Sequence, residues 1–278
     1  MNAMKSVRQL IPVWLRRKAR GAQRRAMSLV DPEWIGEQTE ESLGQQLLTL
    51  DCGLGLFRLV HLLDALSTVD GIKSIVSVGS GGGHHEAYLA LKHPELQVTG
   101  VDLRVPDVQL KLPNLRFLQG NLLDPAFTAT IPQADFVYSI ECFEHIEEDR
   151  LVFATAAALV RPGGFLYVEV PFASAAEQAD PELCRRERES FEHVRPGYSA
   201  RQLEDLARSN GLSVRKVAGA FWFPIQPSVW SAYMQFGAAA LAPHWRAYFE
   251  FARFDLRQGI PANRTEATAI KILAARGR

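Results

Sequence analysis

The chain has 278 residues, of which 47% are apolar, so we expect a packed core in one large domain with appendages or in two small domains. Its 31 basic side chains balance 31 acidic ones, which argues against a dedicated nucleic-acid-binding protein. Three scattered cysteines without metal-like spacing argue against a disulfide framework. No apolar run approaches the roughly 18 residues of a membrane span, and we therefore expect a cytoplasmic protein.

The N-terminal arm, residues 1–38, is strongly basic. Residues 1–30 contain eight Lys or Arg and no Asp or Glu, whereas residues 31–278 carry 23 basic and 31 acidic side chains. The apolar block 10-LIPVWL-15 is too short for a signal peptide. Three hypotheses stay open for residues 5–25: docking on the inner membrane face or on a protein, RNA binding, which is not favoured, or a passive solvated arm.

The domain from residue 39 to residue 278 is predicted to alternate between helices and strands. Apolar residues at mixed three- and four-residue spacing indicate one or two helices over 39–69, broken near Gly53 and Gly55. Near-continuous apolar strands separated by helix-length segments indicate a parallel sheet covered on both faces. The predicted strands are 73–79, 97–103, 115–120, 134–140, 164–170, 212–219 and 268–275, and the predicted helices among them are 84–93, 147–160 and 200–210.

The first strand ends in a glycine-rich turn, 76-VSVGSGGGHHE-86, that runs into the next helix. Glycine permits positive φ and close approach of a ligand, and the helix N-terminus offers free N–H groups. The spacing is G-x-G-x-G at Gly79, Gly81 and Gly83, which differs from the dinucleotide fingerprint G-x-G-x-x-G. Asp102 ends the next strand, about twenty residues on, where a carboxylate can accept both hydroxyls of a ribose. These features predict a nucleotide-type cofactor site.

Five segments in sequence resemble the motifs of the class I S-adenosylmethionine-dependent methyltransferases, over roughly half of the chain. The resemblance implies a Rossmann-like, doubly wound α/β sheet, mostly parallel with an antiparallel last strand and with helices on both faces. It also implies a core of 70–220 and 264–278 with a helical, aromatic-rich lid insertion at 221–263. The five segments are 76-VSVGSGGG-83, 99-TGVDL-103, 117-FLQGNLLD-124, 135-DFVYSIECFEHI-146 and 160-VRPGGFLYVEVP-171.

In that family the glycine loop approaches the methionine part of S-adenosylmethionine, and the acid after the second strand holds the ribose. Two positions depart from the family: Ser77 stands where an acid is frequent, and Asn121 replaces a more usual Asp, so that a neutral amide oxygen would meet the adenine amine. Both departures motivate the alternative of a cofactor-binding but inactive scaffold subunit. The cofactor contacts implied by the resemblance are Gly79, Ser80, Gly81, Gly83, Asp102, Leu103, Gly120, Asn121, Leu122, Ser139 and Ile140.

The segment 139-SIECFEHIEED-149 follows the fourth strand and therefore lies at the sheet edge where ligands bind. Histidine titrates near neutrality, so His145 is a candidate general base, and we expect Glu141, Glu144 and His193 in the same catalytic site. Glu141, Glu144 and His145 also form E-x-x-E-H, similar to the segment with which ubiquinone-biosynthesis and small-RNA 2′-O-methyltransferases hold a divalent ion. A metal-free base or orienting histidine is favoured over a metal ligand, and a purely structural histidine is the third hypothesis.

The resulting hypothesis is an S-adenosylmethionine-dependent methyltransferase that acts on a small-molecule acceptor, with a hydroxyl oxygen favoured. Metal-assisted O-methylation of vicinal hydroxyls or of an RNA terminus is the alternative. In the loop 191-FEHVRPGYS-199, Arg195 and Tyr198 either contact the acceptor or support the helix that Ser199 is predicted to cap. The aromatic-rich insertion favours a flat or apolar acceptor, including one linked to a membrane.

Overall fold

The computed structural model describes most of the domain and not the basic arm. The arm, with its docking hypotheses for residues 5–25, lies outside the described residues. Within the described part of the chain, no helix is both long and apolar enough to cross a bilayer. The described residues are 39–49, 54–108, 110–222, 225–263 and 267–278.

Seven strands form one sheet in the order β3-β2-β1-β4-β5-β7-β6. The strands are β1 (Ser74–Val78), β2 (Gln97–Asp102), β3 (Leu115–Gln119), β4 (Ala134–Ile140), β5 (Val160–Pro171), β6 (Leu212–Trp222) and β7 (Ala267–Arg276). β1 pairs in parallel with both β2 and β4, while β7 runs antiparallel to β5 and to β6. The predicted Rossmann-like sheet, mostly parallel with an antiparallel last strand, is confirmed.

Helices cover both faces of the sheet because side chains alternate along each strand. In β4, for example, Val137 packs with one face and its neighbours Phe136 and Tyr138 with the other. The helices of the sheet crossovers are α3 (His84–Lys92), α4 (Pro125–Thr128), α5 (Asp149–Leu159), α6 (Ala175–Gln178), α7 (Pro181–Phe191) and α8 (Ala200–Ser209). The sequence analysis did not predict α7, although Asp180 caps it by accepting from Glu182 N at 2.9 Å.

Two helices precede the sheet, as the pattern of 39–69 predicts: α1 (Glu40–Thr49) and α2 (Leu54–Ser67). Every residue of α2 from Leu54 to Leu62 is buried, so this helix is enclosed on all sides. One side packs with the sheet, where Leu62 meets Tyr138, and the other with the later helices, where Phe57 meets Ala252. α2 is therefore an interior helix of the domain.

The segment after β6 forms α9 (Ile225–Phe236), α10 (Ala238–Leu241), a 3-10 turn (Ala242–His244) and α11 (Trp245–Arg257). These helices pack on the N-terminal pair, and the ring of Trp245 lies so close to Gly44 that a Cβ there would be 2.5 Å away. The role of the segment 221–263 as a lid over an acceptor pocket stays a prediction.

A network of buried charges links the sheet to two of these helices. His61 of α2 places Nδ1 3.1 Å from Glu169 Oε1 and Nε2 3.5 Å from Asp255 Oδ2 of α11, with all three side chains fully buried. Lys271 lies opposite Glu169 in the β5–β7 pairing, and Tyr167 donates its hydroxyl to the same carboxylate. Burial raises the pKa of Glu169, but the neighbouring His61 and Lys271 and the hydrogen bonds of the carboxylate outweigh it and hold that pKa at about 2.

We expect His61→Ala to lower the free energy of unfolding by about 3–5 kcal/mol, because it removes the imidazole that lies against the buried carboxylates of Glu169 and Asp255. The matched control is His93→Ala, which removes the exposed His93–Glu95 contact of 3.2 Å and should cost under about 1 kcal/mol. Urea unfolding at pH 7 measures both, and equal losses would contradict the structural role given to the network.

Candidate cofactor and acceptor site

The carboxyl ends of four parallel strands meet at one edge of the sheet. β1 lies between β2 and β4 in the sheet. The strands that follow β1 in the chain are first added on one side of it, as β2 and β3, and then on the other side, as β4 and β5. A crevice opens at such a switch point in doubly wound sheets. The predicted cofactor contacts lie in the last residues of these four strands or directly after them, so the topology brings them to the same edge.

The glycine loop turns directly from β1 onto β2. Gly79 N donates to Val101 O at 2.9 Å. Gly79 has φ +79°, and a Cβ there would lie 2.4 Å from Cys142 Sγ, whereas a Cβ at Gly81 (φ +53°) would meet nothing within 4 Å. Gly79 is therefore required by its left-handed backbone and its packing, and Gly81 is where the loop leaves room for a ligand.

Asp102 holds the loop from the end of β2. Its Oδ2 accepts from Gly81 N at 2.8 Å and its Oδ1 from Arg104 N at 2.9 Å. Each carboxylate oxygen has a second lone pair, so both can still accept from ribose hydroxyls. Beside it, Leu103 and Val105 are 65% and 67% exposed and offer an apolar surface. A carboxylate, an apolar wall and an open glycine turn fit the nucleoside of S-adenosylmethionine.

The turn after β3 lies against the same strand end. Gly120 N donates to Asp102 O at 2.9 Å. The amide oxygen of Asn121, predicted to accept from adenine, accepts from Leu123 N at 2.9 Å and keeps one lone pair for a ligand. Leu122 is buried in the core, so a cofactor contact there would come from its backbone. The assignment of these residues to adenine stays a prediction.

Ser139 and Cys142, on the β4 side of the crevice, are not activated nucleophiles. The hydroxyl of Ser139 donates to Val78 O at 2.8 Å, which joins β4 to β1. Burial, together with the charges of Glu144 and Asp102, raises the pKa of the Cys142 thiol to about 12, so the thiol stays protonated near neutrality. The predicted contacts of Ser139 and Ile140 with the sulfonium region remain predictions.

The helix after the glycine loop begins with two histidines of different surroundings. Burial of the imidazole, together with the charge of His85, lowers the pKa of His84 to about 4. His85 Nε2 lies 2.9 Å from Gly55 O and joins α3 to α2. His84 is neutral at physiological pH and adds no positive charge near the predicted position of a cationic cofactor.

A short 3-10 turn, Phe143–His145, places the candidate catalytic groups directly after β4. Glu144 is fully buried, whereas the side chain of His145 is 40% exposed. His145 Nδ1 lies 3.3 Å from the carbonyl of Glu192, which can only accept, so Nδ1 carries the proton. His145 Nε2 lies 3.9 Å from Glu144 Oε1, and an imidazole nitrogen can accept a proton or bind a cation.

His193 joins this turn from the loop after α7. Its ring meets that of His145 edge-on, with centroids 4.8 Å apart. His193 Nδ1 lies 3.1 Å from Glu187 Oε2, and both side chains are buried. The carboxylate accepts from Nδ1 and orients the ring of the second histidine against His145. The sequence analysis missed Glu187, since it lies on the unpredicted α7; the Asp180–Pro181 cap was the available signal.

Glu141 faces a different partner. It has φ +50°, and its carboxylate lies 2.7 Å from Arg58 Nη2 of α2. In the described residues, the group that could hold a metal is Glu144, His145 and His193, whose ligand atoms lie within 4.8 Å of one another. The structure thus groups His193 with the E-H pair of the E-x-x-E-H segment and pairs Glu141 with an arginine that the sequence analysis did not identify.

Arg195 and Tyr198 support the turn. Arg195 donates to the carbonyls of Ile146 and Glu147 at 2.9 and 3.0 Å and forms an ion pair with Asp149. The Tyr198 hydroxyl lies 2.9 Å from Asp149 Oδ2. Both side chains therefore hold the turn after β4, a role that the sequence analysis did not predict, and their contact with an acceptor stays a prediction. Ser199 caps α8 as predicted, with its hydroxyl accepting from Gln202 N.

Sequence comparison identifies relatives over more than half of the chain. The family model described as a methyltransferase domain matches residues 54–217. The O-methyltransferase rstn1 of Aspergillus nomiae is 28% identical over 160 residues, which are 54% of this chain and 68% of that protein. The ubiquinone biosynthesis O-methyltransferase of Bordetella avium is 26% identical over 185 residues, 60% of this chain and 73% of that protein.

Solved structures share the fold at lower identity. An O-methyltransferase family protein from Burkholderia thailandensis is 15% identical with a TM-score of 0.51, over 95% of this chain and 72% of that one. Coclaurine N-methyltransferase bound to N-methylheliamine and S-adenosylhomocysteine is 15% identical with a TM-score of 0.53, over 97% of this chain and 96% of that one. At such identity the likeness concerns the fold, which serves both oxygen and nitrogen acceptors.

Asp102→Asn should raise the Kd for S-adenosylmethionine at least about tenfold, since a charge-assisted acceptor becomes a neutral one. Isothermal titration calorimetry measures this, with circular dichroism to verify folding. Asp70→Asn, at the exposed opposite end of β1, is the matched control and should leave the Kd unchanged. An unaltered Kd for Asp102→Asn would remove this carboxylate from the cofactor site.

His84 should make the protein sensitive to mild acid. Its pKa in the folded protein is about 4, below the ordinary value of 6.5. Between these two pH values the unfolded chain therefore binds a proton at this histidine and the folded chain does not. Stability is therefore lost as the pH falls from 6.5 toward 4, by about 2 kcal/mol between pH 7 and pH 5. Urea unfolding at both pH values should show that His84→Gln loses correspondingly less. Equal losses in variant and wild type would contradict the buried neutral imidazole.

Proposed function

The chain belongs to the methyltransferase-domain family and is an S-adenosylmethionine-dependent methyltransferase, and from this premise we propose that it methylates a hydroxyl oxygen of a small-molecule acceptor. The observation that carries the proposal is His145, an imidazole in the turn directly after β4 whose ring meets that of His193 with centroids 4.8 Å apart. A hydroxyl must lose a proton as the methyl arrives, whereas a neutral amine attacks directly. The relatives named O-methyltransferases support the same acceptor atom.

S-adenosylmethionine supplies a methyl carbon on a sulfonium that is its own leaving group. The protein's part is to hold the acceptor oxygen in line with that carbon in a crevice from which water is excluded. Asp102 and the glycine loop are proposed to hold the nucleoside. His145 Nε2 takes the hydroxyl proton while the C–O bond forms and the S–C bond breaks. The sulfonium becomes a neutral thioether, and the positive charge of the proton ends on the imidazole.

A carboxyl group lies near the atom that is proposed to receive the proton. Glu144 Oε1 is 3.9 Å from His145 Nε2, and in its ionised form it would stabilise an imidazolium at this distance. The carbonyl of Glu192 keeps the ring oriented through Nδ1. Arg195 and Tyr198 act as positioning residues, since they hold the turn that carries the base.

A flat, hydroxylated aromatic ring is the acceptor class we propose. Relatives named for ubiquinone biosynthesis support it, and the aromatic residues of 225–257 are compatible with it. An RNA terminus is not favoured, because 31–278 carries more acidic than basic side chains.

Metal-assisted transfer is the second candidate, and the grouping of Glu144, His145 and His193 favours it. One carboxylate and two imidazoles suit divalent manganese, iron or zinc. These three residues would hold the ion, which would lower the pKa of an acceptor hydroxyl bound to it. His145 would then act as a ligand and not as the base.

Incubation with labelled S-adenosylmethionine and either catechol or benzylamine tests the acceptor atom. We expect label on the catechol oxygen and none on the amine; faster labelling of the amine would overturn the proposal. His145→Ala should lower turnover of catechol at least about 100-fold, the contribution of a general base. Its Kd for S-adenosylmethionine should not change, and the control His93→Ala should keep full turnover.

Dialysis against EDTA separates the two candidates. If His145 is the base, catechol turnover survives dialysis unchanged. If the metal candidate is correct, turnover is lost and returns with added Mn²⁺, and Glu144→Gln abolishes Mn²⁺ binding measured by electron paramagnetic resonance.

A further inference from the structure

A buried carboxylate lies between α3 and the sheet, close to the glycine loop. Glu86 is in the first turn of α3, the helix that follows the loop, and is 1% exposed. Its Oε1 accepts from the hydroxyl of Tyr138, on β4, at 2.5 Å. This distance between the two oxygens is typical of a hydrogen bond from a hydroxyl to an ionised carboxylate. Glu86 therefore places a negative charge inside the domain, three residues after the last glycine of the loop.

Strand β1 contributes a serine that faces the same phenol. Ser77 and Tyr138 are paired in the register of β1 and β4, and both are buried. Burial and the charge of Glu86 hold the pKa of the Tyr138 phenol well above its ordinary value, while a hydrogen bond with Ser77 acts in the opposite direction. Ser77 stands two residues before Gly79, at the position where an acid is frequent in the family. The carboxylate of Glu86 thus lies close to the place from which an acid at position 77 would act.

Glu86 lacks the cationic partner that another carboxylate at this edge of the sheet has. Glu141 pairs with Arg58, whereas no ion pair to Glu86 occurs among the described residues. The second oxygen of Glu86, Oε2, is buried and has no hydrogen-bond partner in the described part of the chain. Removing a charge from water is costly unless it is paired and hydrogen-bonded. Such a carboxylate is suited to act as the counter-charge of a cationic ligand.

The topology brings a cationic group of the cofactor to this place. The nucleoside is proposed to lie at Asp102, after β2, and the methyl is proposed to leave at the turn after β4. Because β1 lies between these two strands, the amino-acid end of S-adenosylmethionine meets the end of β1 and the start of α3. The free N–H groups of a helix N-terminus attract the carboxylate of that end, and its ammonium is attached to the adjacent carbon. The ammonium therefore lies beside the first turn of α3.

We propose that Glu86 is the counter-charge of the cofactor's ammonium group. Because Glu86 is buried, it acts as a charge beneath the loop and not as a direct ligand, and screening by water is weak at such a site. It is a positioning residue, and the Tyr138 hydroxyl fixes its carboxylate. The inference rests on the cofactor assignment and not on the acceptor, so its failure would leave the proposed O-methylation untouched.

Isothermal titration calorimetry with three ligands tests the proposal. S-adenosylmethionine and S-adenosylhomocysteine carry the ammonium, whereas 5′-methylthioadenosine has the same nucleoside without the amino-acid end. Glu86→Gln keeps the size of the side chain and an oxygen that can accept from Tyr138, but it removes the charge. We expect it to raise the Kd of the two ammonium ligands at least about fivefold and that of 5′-methylthioadenosine less than about twofold.

The matched control is Glu95→Gln. It removes an exposed carboxylate shortly after the other end of α3 and should leave all three Kd values within about twofold of wild type. Charge rescue provides a second test, because an acid at position 77 would face the same phenol. Ser77→Asp in the Glu86→Gln background should return the Kd of S-adenosylhomocysteine to within about threefold of wild type. Circular dichroism verifies that each variant is folded.

Several results would overturn the proposal. An unchanged Kd of S-adenosylhomocysteine in Glu86→Gln would remove the counter-charge role, and equal weakening of all three ligands would make Glu86 purely structural. A loss confined to S-adenosylmethionine would assign the charge to the sulfonium and not to the ammonium. A folded double variant that binds S-adenosylhomocysteine no better than Glu86→Gln would show that charge is not what the site needs.

Discussion

The parallel pairing of β1 with both β2 and β4 is the constraint on which the site depends. It sends three strand ends to one edge and leaves a gap where the chain order reverses. The glycine loop can then bend onto β2, where Val101 and Asp102 accept its backbone N–H groups. Without a carboxylate at that position, the loop would lose an acceptor as well as the predicted ribose contact.

The turn after β4, where the acceptor is proposed to bind, is held by side chains from later parts of the chain. Arg195 and Tyr198 hold the turn after β4, and Glu187 orients His193 against His145. A turn held from several elements can present a base or bind a cation with little rearrangement, which lowers the entropic cost of reaching the reactive geometry. The same scaffold therefore supports both chemical candidates for hydroxyl activation.

Buried charge joins the later helices to this arrangement. Arg58 and His61 lie three residues apart on α2, so they share a face; one pairs with Glu141 beside the site and the other with Glu169 and Asp255. Since Asp255 belongs to α11 and Glu169 to β5, the buried side chain of His61 lies between that helix and the sheet.

The sequence by itself determined that the chain forms a mostly parallel sheet and at which edge of the sheet the predicted cofactor contacts lie. Both could be read from the sequence because hydrophobic periodicity, the conformations open to glycine and polar residues at strand ends are local properties of neighbouring residues. Only the tertiary structure decided which distant side chains meet. Glu141 pairs with Arg58, which is 83 residues away in the sequence, and His193 lies beside Glu144 and His145. Such pairings depend on how α2 and α7 pack against the sheet, and no local pattern encodes the distance between residues so far apart in the chain.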